Sequence, residues 1–518
     1  MDDIDLVTGR TDKIFSEITG KPARLQLEFA RCVQWKKKRA FAATGRSKQV
    51  FVAGDAVLHG LIVIASLSEA RFKSQHCAAQ RAAATVAAML DIRLIREKPD
   101  FVRERIASRG GDAARIDELL KVDAERRKAE TELQQLRSEH NRLSKEIGVL
   151  RSQGMAGLAM VSKVNEAAAL LRRIDQKEQE LLADGSETRQ RDLLLQIPNL
   201  PHASVPAGKD PSANKLVREW GTKPKFGGRA LDHVALGEKL KILDLERATK
   251  LSGSGFICFT GAGAKLERAL INFMLDLHTR EHGYTEISPP FLVRRDCMIG
   301  TTQLPKFESD MYGLENGELF LVPTAEVPVT NLHREEILAI VDLPKKFVAY
   351  TPCFRREAGS AGRETRGILR VHQFDKVELV KITTAEKSYE ELESLVADAE
   401  KVLQLLGLHY RVIELCTGDL TFGSAKTYDI EVWSPGSRDG GTYLEVSSCS
   451  NFEDFQARRM NLRYKGADGN NKFCHTLNGS GLALPRLFAA LIESLQQPDG
   501  SIRIPTKLQA DFGGNEIK

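Results

Sequence analysis

A strict 3,4 alternation of apolar residues between positions 119 and 150 constrains the fold more than any other feature of this sequence. Its positions are Leu119, Val122, Arg126, Ala129, Leu133, Leu136, His140, Leu143, Ile147 and Leu150, and all but the arginine and the histidine are apolar. Such spacing places one apolar stripe along a helix and predicts a coiled-coil strand. At 1.5 Å per residue this helix is about 48 Å long.

The same pattern returns after the segment SQGMAG. Its positions are Met160, Val164, Ala167, Leu171, Ile174, Glu178 and Leu181. A short glycine-containing turn between two such stretches predicts an antiparallel hairpin over about residues 115–185. Acidic and basic residues balance in positions 115–150. The hairpin therefore fits either a solvated helix pair used for dimerisation or a projecting arm that binds a large partner.

The net charge of +5 is concentrated at the start of the chain. Residues 1–88 hold fourteen Lys and Arg against eight Asp and Glu, a balance of +6, so the remaining residues sum to −1. The main body is therefore not a general polyanion binder, and contacts to nucleic acid need local basic patches. Two hypotheses exist for residues 1–88: a mis-called start upstream of Met89, or a real basic arm or targeting peptide.

Cysteines and apolar runs indicate the compartment. The eight cysteines are scattered, without a CxxC pair or a Cys/His cluster of metal-site spacing. The apolar run VFVAGDAVLHGLIVIASL is interrupted by Asp55 and His59, so it is too short for a membrane span of about 20 clean residues. We expect a reducing cytoplasm, no structural zinc and no membrane partner.

The segment FVAYTPCFRREAGSAGRETRGILRVHQFDKVELV predicts a strand, a polar loop and a second strand. The loop carries Arg363, Arg366 and Arg370. An arginine at the mouth of such a loop can bind a phosphate bidentately, while a glutamate and a phenylalanine on the return strand bracket an adenine. The segment predicts a nucleotide site, although surface salt bridging alone also produces Arg/Glu runs.

Two further segments are weaker signals on their own. In TYLEVSSCSNFEDFQARRM, Glu445, Ser447 and Ser448 offer oxygen ligands of the kind that Mg²⁺ uses beside substrate phosphates. In LNGSGLALPRLFAALIESLQ, a glycine-containing turn leads into an amphipathic helix with Arg486 in its first turns. That arginine can reach a terminal phosphate, but a plain turn before a core helix fits equally well.

Together, and in this order after a coiled-coil hairpin, these segments resemble the bacterial-type seryl-tRNA synthetases, which are class II aminoacyl-tRNA synthetases. GYTEISPPFLV resembles class motif 1, CFRREAGSAGRETRG motif 2 and LNGSGLALPR motif 3. PTAEVPVTNL, HQFDKVELV and SSCSNFEDFQARRM are similar to signatures of the seryl branch. The resemblance covers about residues 89–514.

The resemblance implies an α+β fold, with an N-terminal antiparallel coiled-coil hairpin followed by a class II catalytic domain. That domain is built on a mixed, mostly antiparallel β-sheet flanked by helices. The expected division is an extension of uncertain status (1–88), a tRNA-binding domain (89–196), a linker (197–215) and the catalytic domain (216–518). The linker contains the proline-rich segment QIPNLPHASVPAGKDPSANK.

The resemblance also implies roles for individual residues. Arg355, Arg486 and Glu445 are the expected catalytic groups. The expected ATP contacts are Arg355, Arg356, Glu357, Val371, His372, Gln373, Phe374, Glu445, Val446, Ser447, Ser448 and Arg486. The expected serine contacts are Thr324, Ala325, Glu326, Arg355, Glu378 and Ser480. Glu445 and Ser448 are the expected Mg²⁺ ligands through ATP, and Pro290 is the motif 1 proline at a dimer interface.

The implied reaction converts L-serine and ATP to seryl-adenylate and transfers the serine to tRNA(Ser). The resemblance leaves open whether tRNA(Sec) is also charged. The implied protein is a homodimer whose hairpin grips the tRNA, with Arg126, Arg127, Lys128, Arg142, Arg151 and Lys163 as basic candidates. Threonyl- and prolyl-type enzymes should instead show an anticodon-binding domain after motif 3, and relatives that charge carrier proteins generally lack the long arm.

Two positions depart from the family pattern. Pro485 stands where glycine usually precedes the motif 3 arginine, and Leu444 stands where arginine is common. Proline fixes φ and has no amide hydrogen, so the approach of Arg486 can change. Neither departure removes an assigned charge, and we expect activity with an altered ATP affinity or rate. The alternative is a catalytically impaired paralogue that acts as an RNA-binding or scaffolding protein.

Overall fold

Helices form the first part of the structure. The computed structural model describes residues 90–153, 158–358, 367–438 and 440–518, so residues 1–88, Met89, Arg363 and Arg366 lie outside the described part. The first helices are α1 (Ile92–Glu97), α2 (Pro99–Ala107), α3 (Ala114–Ser152), α4 (Leu158–Ala183) and α5 (Ser186–Gln196). Helix α1 begins after Asp91, whose carboxylate accepts a hydrogen bond from the Arg93 amide. Helix α2 begins at a proline, and the first position of a helix does not require an amide hydrogen.

Helices α3 and α4 pack against each other as the predicted hairpin. Every predicted seam position of α3 is buried or half-buried. The phase predicted for α4 is wrong at two positions, because Val164 is 37% exposed and Leu171 is 47% exposed. Leu170, at 5% exposure, takes the seam position instead, and it packs with Leu143 and Ile147.

A hydrophobic cluster joins these helices to the rest of the molecule. It contains buried residues of α1, α2, α3 and α5, among them Ile95 and Leu119, together with Phe422 and Phe455. The helical part is therefore packed onto the sheet-containing part through a common core.

The centre of the remaining chain is an eight-stranded sheet. Its strands are β1 (Lys215–Trp220), β2 (Thr285–Glu286), β7 (Lys345–Phe354), β8 (Gln373–Thr383), β9 (Tyr410–Glu414), β10 (Lys426–Ser434), β11 (Thr442–Asn451) and β14 (His475–Ala483). Their order is β1-β9-β10-β11-β14-β8-β7-β2, antiparallel except for the parallel pair of β2 and β7. This mixed, mostly antiparallel sheet is the one that the family resemblance implied.

Residues of β8 alternate between two environments, as strand geometry requires. Val377 and Leu379 belong to the main core, which also contains residues of α8 (Ala262–Arg280), α11 (Ser388–Leu406) and α13 (Leu484–Ser494). Val380 packs on the other side against Ala325 and Val329. Phe374, Lys376 and Glu378 share that second side and line a cavity.

The remaining helices and strands are short. The helices are α6 (His233–Lys239), α7 (Leu245–Ser252), α9 (Arg295–Gly300), α10 (Glu326–Thr330), α12 (Phe455–Met460) and α14 (Gln509–Phe512). The strands are β3 (Leu292–Arg294), β4 (Gly313–Leu314), β5 (Leu319–Leu321), β6 (Ile337–Ala339), β12 (Arg463–Lys465), β13 (Asn471–Phe473), β15 (Ile502–Arg503) and β16 (Glu516–Ile517). Among the described helices, none is long and apolar enough to cross a membrane.

Candidate active site

A cavity of about 720 Å³ opens on the face of the central sheet that the helices α8, α11 and α13 leave uncovered. It is lined by residues of β8, β11 and β14, by the loops that flank β7 and β8, and by the start of α13. Antiparallel pairing of β11, β14 and β8 brings together residues that lie more than a hundred positions apart in the sequence.

Most residues implied by the family resemblance line this cavity. They are Thr324, Glu326, Arg355, Glu357, Val371, Phe374, Glu378, Glu445, Val446, Ser447, Ser448, Ser480 and Arg486. The others do not line it: Ala325, Arg356, His372 and Gln373. Ala325 is fully buried beneath the cavity, and Arg356 is exposed. His372 donates its amide to the Gly255 carbonyl and accepts the Arg355 amide at its own carbonyl, so it fixes the backbone beside the site.

Arg486 holds one end of the cavity. Its Nε donates to the Leu369 carbonyl at 3.1 Å, and its Nη1 donates to the Glu445 carbonyl at 2.9 Å and lies 3.5 Å from the Glu445 carboxylate. Pro485 occupies the first turn of α13, where the missing amide hydrogen costs no helical hydrogen bond. The proline is therefore compatible with the helix that presents Arg486.

Arg355 lies between the backbone and an aromatic ring. Its Nε donates to the Pro323 carbonyl at 3.3 Å, and its guanidinium carbon lies 5.2 Å from the centroid of the Phe374 ring. Nearby, Arg370 forms an ion pair with Glu357. The Arg355 guanidinium can bind a phosphate group, and the Phe374 ring offers a flat apolar face on which a nucleotide base can stack.

The opposite part of the cavity carries a buried polar cluster. Lys376 donates to the Thr324 hydroxyl at 2.7 Å and pairs with Glu378, whose carboxylate accepts from the Ser480 hydroxyl at 3.4 Å. Glu326 accepts from Gln456 at 2.6 Å.

Glu326 also has a displaced pKa. Burial, and secondarily the charge of Glu378, raise the pKa of Glu326 to about 7. A neutral acid can donate a hydrogen bond, whereas a carboxylate only accepts, so this group can serve either role near neutral pH.

Oxygen ligands suited to Mg²⁺ lie between these two ends. A bulge at Val446 interrupts the pairing of β10 with β11, so that Glu445 and Ser447 oppose successive residues of β10. Ser448 lies opposite Asp429 and hydrogen-bonds to its carboxylate. Burial, followed by the charge of Glu445, raises the pKa of Asp429, and its buried Oδ1 has no hydrogen-bond partner among the described residues.

The oxygen atoms of Glu445, Ser448 and Asp429 are suited to bind a divalent cation. Carboxylate and hydroxyl oxygens are the ligands that Mg²⁺ prefers, and an unpartnered buried carboxylate oxygen is costly without a cation or water nearby. Glu445 and Ser448 therefore remain suitable as direct ligands, with Asp429 behind them. Within the described ranges, no group of three or more His, Cys, Asp or Glu forms a protein-only metal site.

The sequence did not single out several residues of the cavity. Lys376 is the most important, because its charge is buried at 6% exposure between Thr324 and Glu378. Asn478, Phe307, Thr302 and Phe422 also line the cavity. The only available signal for Lys376 was its place inside the segment HQFDKVELV.

Two family models match this chain. The model described as seryl-tRNA synthetase N-terminal domain matches residues 89–201, and that described as tRNA synthetase class II core domain (G, H, P, S and T) matches residues 307–495. The serine–tRNA ligase of Akkermansia muciniphila is 57% identical over 431 residues, which are 83% of this chain and 99% of that protein. That of Thermotoga neapolitana is 53% identical over 435 residues, 83% of this chain and 100% of that protein.

Solved structures show the same likeness. The seryl-tRNA synthetase from Pyrococcus horikoshii complexed with ATP has a TM-score of 0.76 and 38% identity, and the match covers 83% of this chain and 99% of that chain. The cytoplasmic serine–tRNA ligase from Naegleria fowleri in complex with AMP has a TM-score of 0.73 and 29% identity, over 83% and 98% of the two chains. The N-terminal model matches the helical part, the core model matches the part with the central sheet, and relatives above 50% identity match both parts. This chain therefore belongs to the seryl-tRNA synthetases.

Proposed function

We propose that this chain activates L-serine with ATP in the cavity of the central sheet and then transfers the serine to the 3′ end of tRNA(Ser). The observation that carries the proposal is the cavity itself. It combines two guanidinium groups, Arg355 and Arg486, with a buried polar cluster around Glu326 and Glu378. One end suits phosphates and the other suits a small polar amino acid.

The first step is a displacement at phosphorus. A serine carboxylate oxygen forms a bond to the α-phosphorus of ATP, and the bond from that phosphorus to the oxygen bridging the β-phosphate breaks. Pyrophosphate leaves with the electron pair. Arg355 and Arg486 stabilise the charge on the phosphate oxygens, so the catalysis comes from positioning and electrostatics and needs no side-chain nucleophile.

The second step forms an ester. A ribose hydroxyl oxygen at the 3′ end of tRNA bonds to the seryl carbonyl carbon, and the bond from that carbon to the adenylate oxygen breaks. AMP leaves with the electron pair, and the hydroxyl proton is released. The hydroxyl of bound serine is recognised by polar groups of the buried cluster, with Thr324, Glu326, Glu378 and Ser480 as the assigned contacts.

Serine selectivity follows from this assignment. Alanine lacks the hydroxyl and would leave buried polar groups unpaired, which lowers its activation by about 10⁴-fold or more. Threonine carries the hydroxyl and an extra methyl group, and it must be rejected by the walls of the pocket.

Mg²⁺ belongs to the proposal as well. Glu445 and Ser448 would hold it, and the ion when bound neutralises charge on the ATP phosphates. The Asp429 carboxylate accepts a hydrogen bond from Ser448 and fixes the direction of that hydroxyl.

The hairpin of α3 and α4 is proposed to bind the tRNA by its shape. Of its basic residues, Arg126 pairs with Glu130 at 2.8 Å, and Arg142 and Lys163 both pair with Glu146. Arg127, Lys128 and Arg151 are exposed, and they are the better candidates for phosphate contacts. A shape-based contact would accept tRNA(Sec) where its arm is similar, so both tRNAs should be assayed.

A homodimer in the bacterial cytoplasm completes the proposal. Pro290 is exposed, and the adjacent Phe291 and Leu292 are 40% and 44% exposed, which suits a surface covered by a second copy. The six described cysteines are all unpaired, as expected in a reducing compartment. Residues 1–88 are not assigned to either step.

The test is serine-dependent ATP–pyrophosphate exchange, measured on the full chain and on a chain beginning at Met89. Exchange with serine, absent with alanine and threonine and lost in Arg355→Ala, would support the proposal. Equal exchange in both chains would show that residues 1–88 are dispensable for adenylation. No exchange in folded protein would favour the impaired paralogue, a scaffolding or RNA-binding protein.

A further inference from the structure

Two residues of the helical part hold one wall of the catalytic cavity. The wall is the segment Leu420–Ser424, which precedes β10, and its Thr421 and Phe422 line the cavity. The two residues are Arg109, just after α2, and Asn199, just after α5. Both lie more than two hundred positions before the wall in the sequence.

All five carbonyl groups of the wall accept hydrogen bonds from this pair. Arg109 donates to Leu420 at 3.2 Å, to Thr421, and to Ser424 at 3.2 Å. Asn199 donates its amide to Phe422 at 3.1 Å and its side-chain amide to Gly423 at 2.9 Å. The same side-chain amide also donates to the Phe452 carbonyl at 2.8 Å.

Arg109 and Asn199 also contact each other. Arg109 donates to the carbonyl of Asn199, and burial lowers the pKa of Arg109 to about 10 without any compensating carboxylate among the described residues. Asn199 is buried at 4% exposure. Arg109 is half-buried, and the four hydrogen bonds of its terminal nitrogens all go to backbone carbonyls, so losing the guanidinium leaves several acceptors unpaired.

The wall meets β11 at the end of the strand away from Glu445. Ala425, the residue after the wall, donates its amide hydrogen to the Asn451 carbonyl at the end of β11. Glu445 lies six residues earlier on that strand and Ser448 three residues earlier, which are about 20 Å and about 10 Å at 3.3 Å per residue. Lys306 Nζ lies 4.9 Å from the centroid of the Phe422 ring, and its neighbour Phe307 lines the same cavity.

We propose that Arg109 and Asn199 are positioning residues for the transfer step. Through them the helical domain sets the backbone of the wall at Leu420–Ser424, and that wall positions the 3′ end of the tRNA against the adenylate. The inference rests on the proposed function. It adds that the domain assigned to tRNA binding also shapes the reaction centre, through residues that touch neither serine nor ATP.

The test compares the two half-reactions in the full chain. Arg109→Lys keeps the charge but loses the forked geometry that reaches three carbonyls. We expect serine-dependent ATP–pyrophosphate exchange to keep its rate and its KM for serine. Single-turnover transfer from preformed seryl-adenylate to tRNA(Ser) should fall about tenfold or more, because small misplacements of reacting groups cost rate steeply.

Arg105→Lys is the matched control. Arg105 lies in the last turns of α2, shortly before Arg109, and donates to the Pro201 carbonyl and not to a carbonyl of the wall. We expect it to change the Tm without changing the ratio of the two rates. If Arg109→Lys fails to fold, Asn199→Ser removes the side-chain contacts to Gly423 and Phe452 and keeps the backbone contact to Phe422.

Three results would overturn the inference: an equal fall in exchange and transfer, an unchanged transfer rate in folded variant protein, or a rise confined to the KM for tRNA. Absence of exchange in the unmodified chain would instead refute the proposed function, so the two failures are distinguishable.

Discussion

Ion pairs between the helices of the hairpin of α3 and α4 are exposed, whereas the ion pair in the polar cluster of the catalytic cavity is buried. On the hairpin, Arg137 and Glu178 pair at 2.5 Å although the two side chains are 56% and 36% exposed. In the cavity, the paired Lys376 and Glu378 side chains are 7% and 2% exposed. Water screens the first kind of pair and not the second. A charge on the arm can therefore change at little cost, whereas each cavity charge depends on its neighbours.

The largest effect is expected at Arg486. Arg486→Ala should lower serine-dependent ATP–pyrophosphate exchange by about 10³-fold, ~4 kcal/mol of transition-state stabilisation, because the guanidinium acts directly on charge that develops in the transition state. Arg137→Ala is the matched control on the arm, and exchange should not change. Equal activity of the two variants would remove Arg486 from the site.

The next effect concerns packing in the hairpin. Leu170→Ala should destabilise the arm by about 2–4 kcal/mol, since the side chain is 5% exposed. Leu171→Ala should change little, because that side chain is 47% exposed. Hydrogen exchange of arm peptides measures both, and greater loss of protection in Leu171→Ala would restore the phase predicted from the sequence.

The pH dependence of stability should report Glu326. Its folded pKa of about 7 lies above the value of about 4.3 in unfolded chains. As the pH rises, the unfolded state therefore loses this proton before the folded state does. The free energy of unfolding falls between about pH 4.3 and 7, and the full loss is present above pH 7. Between pH 5.5 and 8, the chain should lose about 2 kcal/mol relative to Glu326→Gln.

Tm values of the two proteins at both pH values check this expectation. A wild-type Tm that falls more steeply with pH than that of Glu326→Gln would agree with a buried acid. Parallel pH profiles would contradict the raised pKa of Glu326.

The smallest effect is expected for an exposed charge. Glu146 pairs with both Arg142 and Lys163, and these partners lower the pKa of its carboxyl, the Lys163 hydrogen bond most. Glu146→Gln should nevertheless leave the Tm unchanged within measurement error, because solvent screens exposed pairs. A drop of several degrees, abolished by high salt, would show that the arm depends on this pair.

The hairpin could be predicted because its contacts repeat locally. The phase error in α4 has a physical cause. The seam actually used passes through Lys163 and Lys177, both half-buried. Lysine can bury its aliphatic stem while its charge reaches water, and a search for apolar residues does not register it.

The cavity was predictable only in part. The motifs around Arg355 and Arg486 carry most of the assigned groups. Lys376 could not be predicted, because its partner Thr324 lies on a distant loop. The five hydrogen bonds from Arg109 and Asn199 to carbonyl groups of the wall could not be predicted from the local sequence either. Every residue has a backbone carbonyl, so such a contact does not depend on which residue accepts it.

In the proposed function, the cavity performs adenylation and the hairpin delivers tRNA. The most direct measurement compares exchange and tRNA(Ser) charging in a chain whose residues 141–169 are replaced by a short turn. We predict exchange at the rate of the unmodified chain and loss of charging. Retained charging, or exchange lost in protein that is still folded, would contradict the account.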